Sequence, residues 1–116
     1  MSAIPEDLNA EIAKAIERQS LENVFIIDVR TDEEWNELHA FGTMHWGLEE
    51  HIKQDEFPEI EKDAEIYIYC RSGNRSGQAI KIMQAAGYTN LVNLGGLDDW
   101  VAAGGETTTG IDGDDK

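Results

Sequence analysis

The chain has 116 residues, 41% of them hydrophobic and 28% charged, which suffices for one compact domain with a modest core. Its 24 Asp and Glu against 9 Lys and Arg give a formal net charge of −15, so the whole molecule repels nucleic acid and anionic lipid. The single cysteine, Cys70, excludes an intrachain disulfide scaffold. We therefore expect neither nucleic acid nor a membrane as a partner.

The N-terminus offers no targeting signal. Residues 1–7 have neither a basic segment nor an apolar run of signal-peptide length, and no stretch approaches the roughly 20 apolar residues of a membrane span. These features predict a soluble, cytoplasmic protein. We expect a monomer.

Helical and strand-like patterns alternate along the chain. Apolar spacing and end signals predict, in chain order, a helix over 6–19, a buried strand over 24–27, a short helix through Trp35 to Leu38, a helix over 48–54, a strand over 64–69, a helix from Ser76 that Gly87 ends, a strand over 91–94, a turn at Gly95–Gly96 and a helix over 97–103. The short helix is favoured by a capping box of Thr31 and Glu34. Residues 39–47 have no clear period.

This alternation predicts an α/β fold. Crossover connections imply a small, mostly parallel sheet with helices on both faces, a three-layer sandwich that we assign to residues 1–104. The tail, residues 105–116, is rich in Gly, Thr and Asp, and we expect it to be disordered. Ligands of such sheets bind beyond the carboxyl ends of the strands, which is where Cys70 would lie.

Cys70 ends a predicted strand and is followed by a glycine-containing loop and a helix start. Backbone N–H groups of residues 71–76 can turn inward there, and the helix dipole adds partial positive charge that favours a thiolate. The pattern predicts a nucleophilic cysteine above an anion-binding loop. The alternative is a buried cysteine that only packs, but packing explains neither Gly73 nor the flanking arginines.

Three segments of the chain together resemble one protein family. The similarity covers residues 24–104. The loop Tyr69–Ser76 resembles the active-site loop of the rhodanese family of sulfurtransferases, Asp28-Val29-Arg30 with Glu34-Trp35 resembles its first-strand motif, and the segment from Gly87 to Trp100 resembles its C-terminal signature.

The resemblance implies a small rhodanese-like sulfurtransferase without a cofactor. Cys70 would take the outer sulfur of thiosulfate or of a persulfide donor and pass it to cyanide or a thiol. The implied binding residues are Arg71, Ser72, Gly73, Asn74, Arg75 and Ser76. We favour Arg71 and Arg75 as attractors of the anionic donor; alternatively, one or both pair with acidic side chains. Asp28 and Arg30 are implied to serve the scaffold.

Two other functions remain open on the same fold. An arsenate reductase or phosphatase would need its arginine six positions after the nucleophile, whereas Arg75 is five positions after Cys70. A non-catalytic interaction module often lacks the cysteine, which is present here. A Cys-His protease ranks lower, because the loop suits anions rather than acyl transfer.

Two features bear on specificity and on metal binding. Residues 38–45 keep only His39 and Gly42 of the family pattern, and Trp46 replaces an aliphatic residue, so the acceptor preference is open. Histidines 39, 45 and 51 recur every six residues, a spacing that disfavours a metal site on a helix. We expect no metal.

Overall fold

A four-stranded parallel sheet organises residues 5–110, the part of the chain that the computed structural model describes. The strand order is β3-β1-β4-β5, which confirms the predicted mostly parallel α/β fold. The elements in chain order are α1 (Leu8–Arg18), β1 (Val24–Asp28), α2 (Asp32–Glu37), β2 (His39–Ala40), β3 (Met44–His45), a 3₁₀ turn (Ile52–Gln54), β4 (Glu65–Cys70), α3 (Asn74–Ala85), β5 (Leu91–Gly96), α4 (Leu97–Ala102) and β6 (Thr107–Thr108).

The continuous apolar runs of β1 and β4 fill a core on each face of the sheet, because alternate strand residues point to opposite sides. On one side, Ile27, Ile66 and Ile68 pack with buried residues of α3. On the other, Ile26 and Tyr67 pack with buried residues of α1 and α4. Each fully buried aliphatic side chain contributes about 1.5–3 kcal/mol. This packing on both faces holds the central strands β1 and β4 in place, and with them Cys70 at the end of β4.

The helix ends follow the local signals. The Asp7 carboxylate accepts from the Ala10 amide at the start of α1, and the predicted capping box of Thr31 and Glu34 is present at the start of α2. Gly87, with a φ of 108°, follows α3 as predicted. Among the described residues no helix is both long and apolar enough to cross a bilayer.

The region between β2 and β4 departs from the sequence-based prediction. A helix was expected over 48–54, but only the 3₁₀ turn Ile52–Gln54 forms. The amides of Trp46 and Leu48 bond to the carbonyls of Asp28 and Val29, at 2.9 and 3.0 Å, so residues 46–48 follow the sheet edge. Residues 48–54 then turn, but their backbone bonds have mixed spacings, such as Lys53 to Leu48 and Gln54 to His51, and do not form a regular α-helix. The strands β2 and β3 have two residues each, too few to show a period.

Residues 105–110 correct the prediction of a disordered tail. Thr107–Thr108 forms β6, which pairs antiparallel with β2. The Glu106 carbonyl accepts from the Phe41 amide at 2.9 Å and from the Trp100 indole at 2.8 Å, and the Gly110 amide donates to the Asn36 carbonyl at 2.8 Å. The composition indicated disorder, but backbone bonds to distant parts of the chain order this segment. Residues 111–116 lie outside the described residues.

Candidate active site

Cys70 is the last residue of β4 and has no exposed surface. The Gly73 amide donates to its sulfur at 2.9 Å, and the Ser76 hydroxyl lies 3.4 Å from the same atom. Twelve-residue α3 begins at Asn74, so the positive end of its dipole also faces this loop. Residues 70–76 thus curl around the sulfur, and we call them the catalytic loop after the role that we propose for them below.

The surroundings of Cys70 favour its ionised form. Burial raises the pKa of the thiol, but the Ser76 hydroxyl and the backbone amides of Ser72, Gly73 and Ser76 lower it, and the net pKa lies below the ordinary value. A lower pKa increases the thiolate fraction at neutral pH, and the thiolate is the nucleophilic form of cysteine. The loop therefore favours a thiolate at Cys70 and at the same time buries the sulfur.

Two glycines allow the catalytic loop to lie tightly around the Cys70 sulfur. Gly73 has a φ of 97°, in the left-handed region where other residues are strained. Gly96, beside Cys70 at the end of β5, has no room for a side chain, because a Cβ there would overlap the carbonyl of Arg71. Any larger residue at either place would move the loop away from the sulfur.

Asn93 of β5 holds the catalytic loop from below and is 2% exposed. Its Oδ1 accepts from the Ser76 hydroxyl at 2.8 Å and from the Gly95 amide at 2.9 Å, while its Nδ2 donates to the Gly73 carbonyl at 3.1 Å. One side chain thus joins the loop and the start of α3 to the sheet. No role for Asn93 alone was predicted from the sequence. The available indication was an amide side chain within a predicted buried strand, because a buried amide needs hydrogen-bond partners.

The two loop arginines have different surroundings. Arg75 donates from Nη1 and Nη2 to the two carboxylate oxygens of Glu34, at 2.8 and 3.0 Å, which is the paired arrangement left open by the sequence. Arg71 is 79% exposed, and its Nη1 lies 3.8 Å from Glu34. Of the two arginines, Arg71 therefore has its guanidinium mainly in solvent, whereas that of Arg75 is paired with Glu34.

Glu34 connects α2 to the catalytic loop. Besides Arg75, its carboxylate accepts from the amide and the hydroxyl of Thr31, at 3.0 and 3.1 Å. The bond from Arg75 is the largest effect on the Glu34 pKa, and with Thr31 it overcomes burial and lowers that pKa to about 2. Glu34 is thus a fixed negative charge beside the loop. The pairing of Glu34 with Arg75 was not predicted from the sequence, because the capping box already accounted for Glu34.

Asp28 and Arg30 form a buried ion pair at the end of β1, with an Nη2 to Oδ2 distance of 2.8 Å. Arg30 also donates to the Leu38 carbonyl at 2.6 Å, and its guanidinium lies 5.7 Å from the centre of the Tyr69 ring. This pair fastens β1 to the segment before β2. These contacts accord with the scaffold role that the family resemblance implies.

The other predicted site residues lie at the surface of the loop or apart from it. Ser72 and Asn74 are exposed, and the side-chain oxygen Oδ1 of Asn74 accepts from Nε2 of Gln78 at 3.1 Å. Among residues 5–110, no His, Cys, Asp and Glu side chains form a group that could hold a metal ion. The three histidines contact, respectively, the Trp35 carbonyl, the Arg30 carbonyl and the Glu56 carboxylate.

The fold and the site together define a class of protein: an α/β fold with a cysteine of lowered pKa in a glycine-containing loop at a helix start. The profile of the rhodanese-like domain matches residues 8–103. The chain therefore belongs to the rhodanese-like domain family.

Individual relatives agree with this assignment. The thiosulfate sulfurtransferase PspE of Escherichia coli is 36% identical over 73 residues, covering 63% of this chain and 70% of PspE. The YrkF protein of Bacillus subtilis is 37% identical over 100 residues, or 85% of this chain, and the chain spans 52% of the length of YrkF. A protein from Anabaena sp. with a known crystal structure superposes with a TM-score of 0.74 at 30% identity, covering 89% of this chain and 80% of that one.

Proposed function

We propose that this chain transfers a sulfane sulfur through a persulfide on Cys70, with thiosulfate or a small persulfide as donor. The single observation that carries the proposal is the bond from the Gly73 amide to the Cys70 sulfur, within a loop that lowers the pKa of that thiol. The name of the relative PspE supports thiosulfate as the donor.

The reaction has two displacement steps. The Cys70 thiolate attacks the outer sulfur of thiosulfate, the sulfur–sulfur bond breaks, and sulfite leaves with the bonding electron pair. The product is a Cys70 persulfide anion. Cyanide or a thiolate then attacks the outer sulfur of that persulfide, and the electron pair returns to Cys70 as the thiolate. No proton, oxidant or reductant is needed for the sum of the two steps with cyanide.

The catalytic loop suits the persulfide anion. Inward-facing amides and the start of α3 supply hydrogen-bond donors and positive charge where the outer sulfur would sit. We assign direct donor binding to the loop residues Arg71, Ser72, Gly73, Asn74 and Ser76, and we propose that Arg75, which is bound to Glu34, acts on the donor through its charge. Since Cys70 is the one cysteine in the chain, we propose an acceptor outside the chain.

The length of the loop favours sulfur transfer over phosphate or arsenate chemistry. Arg75 stands five positions after Cys70, one fewer than in the phosphatase-type loop, and Arg75 is bound to Glu34. A tetrahedral oxyanion needs a wider ring of donors than a single outer sulfur does. We therefore place phosphatase and reductase activities below sulfur transfer.

A steady-state assay tests the proposal. The protein should form thiocyanate from thiosulfate and cyanide, and Cys70→Ser should abolish this turnover while keeping the far-UV circular dichroism spectrum, since the hydroxyl is nearly isosteric with the thiol. Aryl phosphate hydrolysis, measured in parallel, should be undetectable. Unchanged thiocyanate formation in C70S, or efficient phosphate hydrolysis, would overturn the proposal.

A further inference from the structure

Glu34 places a negative charge directly beside the catalytic loop, where an anionic donor must approach. We infer that Glu34 is a specificity-determining residue, which neutralises Arg75 and so selects against doubly charged sulfur donors in favour of singly charged ones. This inference rests on the proposed sulfur transfer and goes beyond it by naming the charge class of the donor.

The geometry of the ion pair makes Arg75 a compensated charge. Both of its terminal nitrogens are used by the two oxygens of Glu34, and the side chains are only 27% and 20% exposed. A bidentate pair of this kind is held in one orientation and is weakly screened. Arg75 is therefore not free to turn toward a donor unless that donor displaces Glu34.

The charges of the pair also reach the reacting sulfur. Ionised Cys70 is one of the groups that raise the pKa of Arg75, because the thiolate and the guanidinium attract each other electrostatically. Glu34 holds the same guanidinium at 2.8 Å. A change of charge at Glu34 consequently changes the electrostatic potential at the entrance to the loop.

The charged groups around the catalytic loop determine the local net charge that an approaching donor meets. Arg71 and Arg75 are positive, whereas Glu34 and the Cys70 thiolate are negative, so the four groups cancel. The whole chain, with Arg71, Arg75 and Glu34 included, has a formal charge of −15. A second negative charge on the donor therefore gains no net local attraction and meets the repulsion of the molecule.

A purely structural role for Glu34 would have a different signature. The carboxylate also completes the capping box with Thr31, so its removal will lower stability whatever its effect on donors. Loss of loop order would reduce turnover of all donors together. Loss of a charge would change the ratio between donors of unequal charge, and that ratio is the quantity to measure.

Two donors of nearly the same shape separate these roles. Thiosulfate carries two negative charges, and the methanethiosulfonate anion, in which a methyl group replaces one oxygen, carries one. Attack by Cys70 on the sulfane sulfur of the latter breaks the sulfur–sulfur bond and releases methanesulfinate with the electron pair. The measured quantity is kcat/KM for thiosulfate divided by kcat/KM for methanethiosulfonate.

In Glu34→Gln this ratio should rise about fivefold, mainly through a lower KM for thiosulfate, because one charge then no longer repels the extra charge of the donor. Glu33→Gln is the matched control. Glu33 lies beside Glu34 in α2, is exposed, and its change alters the net charge of the chain by the same amount. The ratio in E33Q should stay within about twofold of that of the unaltered protein.

A second pair of variants tests the same idea without relying on E34Q alone. Arg75→Gln leaves the Glu34 charge uncompensated and should lower the ratio about fivefold. The double variant E34Q/R75Q loses one charge of each sign and should return the ratio to that of the unaltered protein. Circular dichroism and thermal unfolding verify that each variant is folded.

The outcomes distinguish the inference from the function on which it rests. An unchanged ratio in E34Q, or a double variant that remains as poor with thiosulfate as R75Q, would overturn the role of Glu34; the latter result would show that Arg75 binds the donor directly. If neither donor transfers sulfur to Cys70 in the unaltered protein, the proposed function itself fails.

Discussion

The catalytic loop and the segment at 105–110 are both short and glycine-containing, yet they are held in opposite ways. In the loop, the partners of the Cys70 sulfur lie three and six residues along the chain, at Gly73 and Ser76. The segment instead bonds to β2 and to Asn36, more than sixty residues away in sequence. Hydrogen bonds between residues that are close in sequence produce a motif that can be recognised in the sequence. Hydrogen bonds between residues that are far apart in sequence produce no such motif.

Asn93 is, with Glu34, one of two distant residues in the described part of the chain whose side chains bond to the loop. Because Asn93 is buried and has three hydrogen-bond partners, its loss should have the largest effect. Asn93→Leu leaves the Ser76 hydroxyl, the Gly95 amide and the Gly73 carbonyl without their buried partner. We expect a loss of about 2–4 kcal/mol in the free energy of unfolding and at least about a tenfold fall in kcat/KM. Urea unfolding and the thiocyanate assay measure the two effects.

The control for this change is Asn90→Leu, because Asn90 precedes the same strand and its side chain is exposed. It should alter the free energy of unfolding by no more than about 0.5 kcal/mol. Equal effects of N93L and N90L would show that the catalytic loop holds its shape through its local bonds alone.

The segment at 105–110 provides the second test, of intermediate size. Truncation after Gly105 removes β6 and leaves the indole N–H of Trp100, a residue 1% exposed, without the Glu106 carbonyl. We expect a loss of about 2 kcal/mol in the free energy of unfolding, measured with urea. Truncation after Gly110 retains all these bonds and serves as the reference. If both truncated proteins are equally stable, the distant bonds contribute nothing.

The smallest expected effect is the pH dependence of the contribution that Glu34 makes to the free energy of unfolding. Its pKa is lowered to about 2 in the folded protein, so the ion pair stabilises the fold above the ordinary carboxyl pKa, and the contribution is lost as the pH falls toward 2. The difference in free energy of unfolding between the unaltered protein and E34Q should be about 1 kcal/mol near pH 6 and should vanish near pH 2. Urea titrations across this range measure it.

The corresponding difference for E33Q should be small and nearly flat with pH, since Glu33 is exposed. A difference for E34Q that stays constant between pH 6 and pH 2 would mean that the charge of Glu34 contributes nothing to stability.

The sequence predicted those features that depend on short-range pattern. The apolar runs of β1 and β4, the capping box at Thr31 and the loop after Cys70 each involve residues within six positions of one another, and all three are present. Helix α3 and the glycine after it are also in place, although α3 begins two residues before the predicted start at Ser76.

The remainder could not be predicted, because it depends on contacts between distant residues. The pair of Glu34 with Arg75 spans 41 positions, and each residue already had a local explanation. The predicted turn at Gly95–Gly96 belongs to β5, because neighbouring β4 continues to Cys70 and pairs with Gly96. For the same reason the composition of residues 105–110 indicated disorder where the structure has a strand.

The most direct test of the central claim is the intact mass of the protein after incubation with thiosulfate and removal of excess donor. We predict a gain of one sulfur atom, located on Cys70 by peptide mapping, accompanied by one equivalent of sulfite and reversed by cyanide. The C70S variant should gain no mass. An unchanged mass of the unaltered protein, or a sulfur adduct that persists in C70S, would contradict sulfur transfer through a Cys70 persulfide.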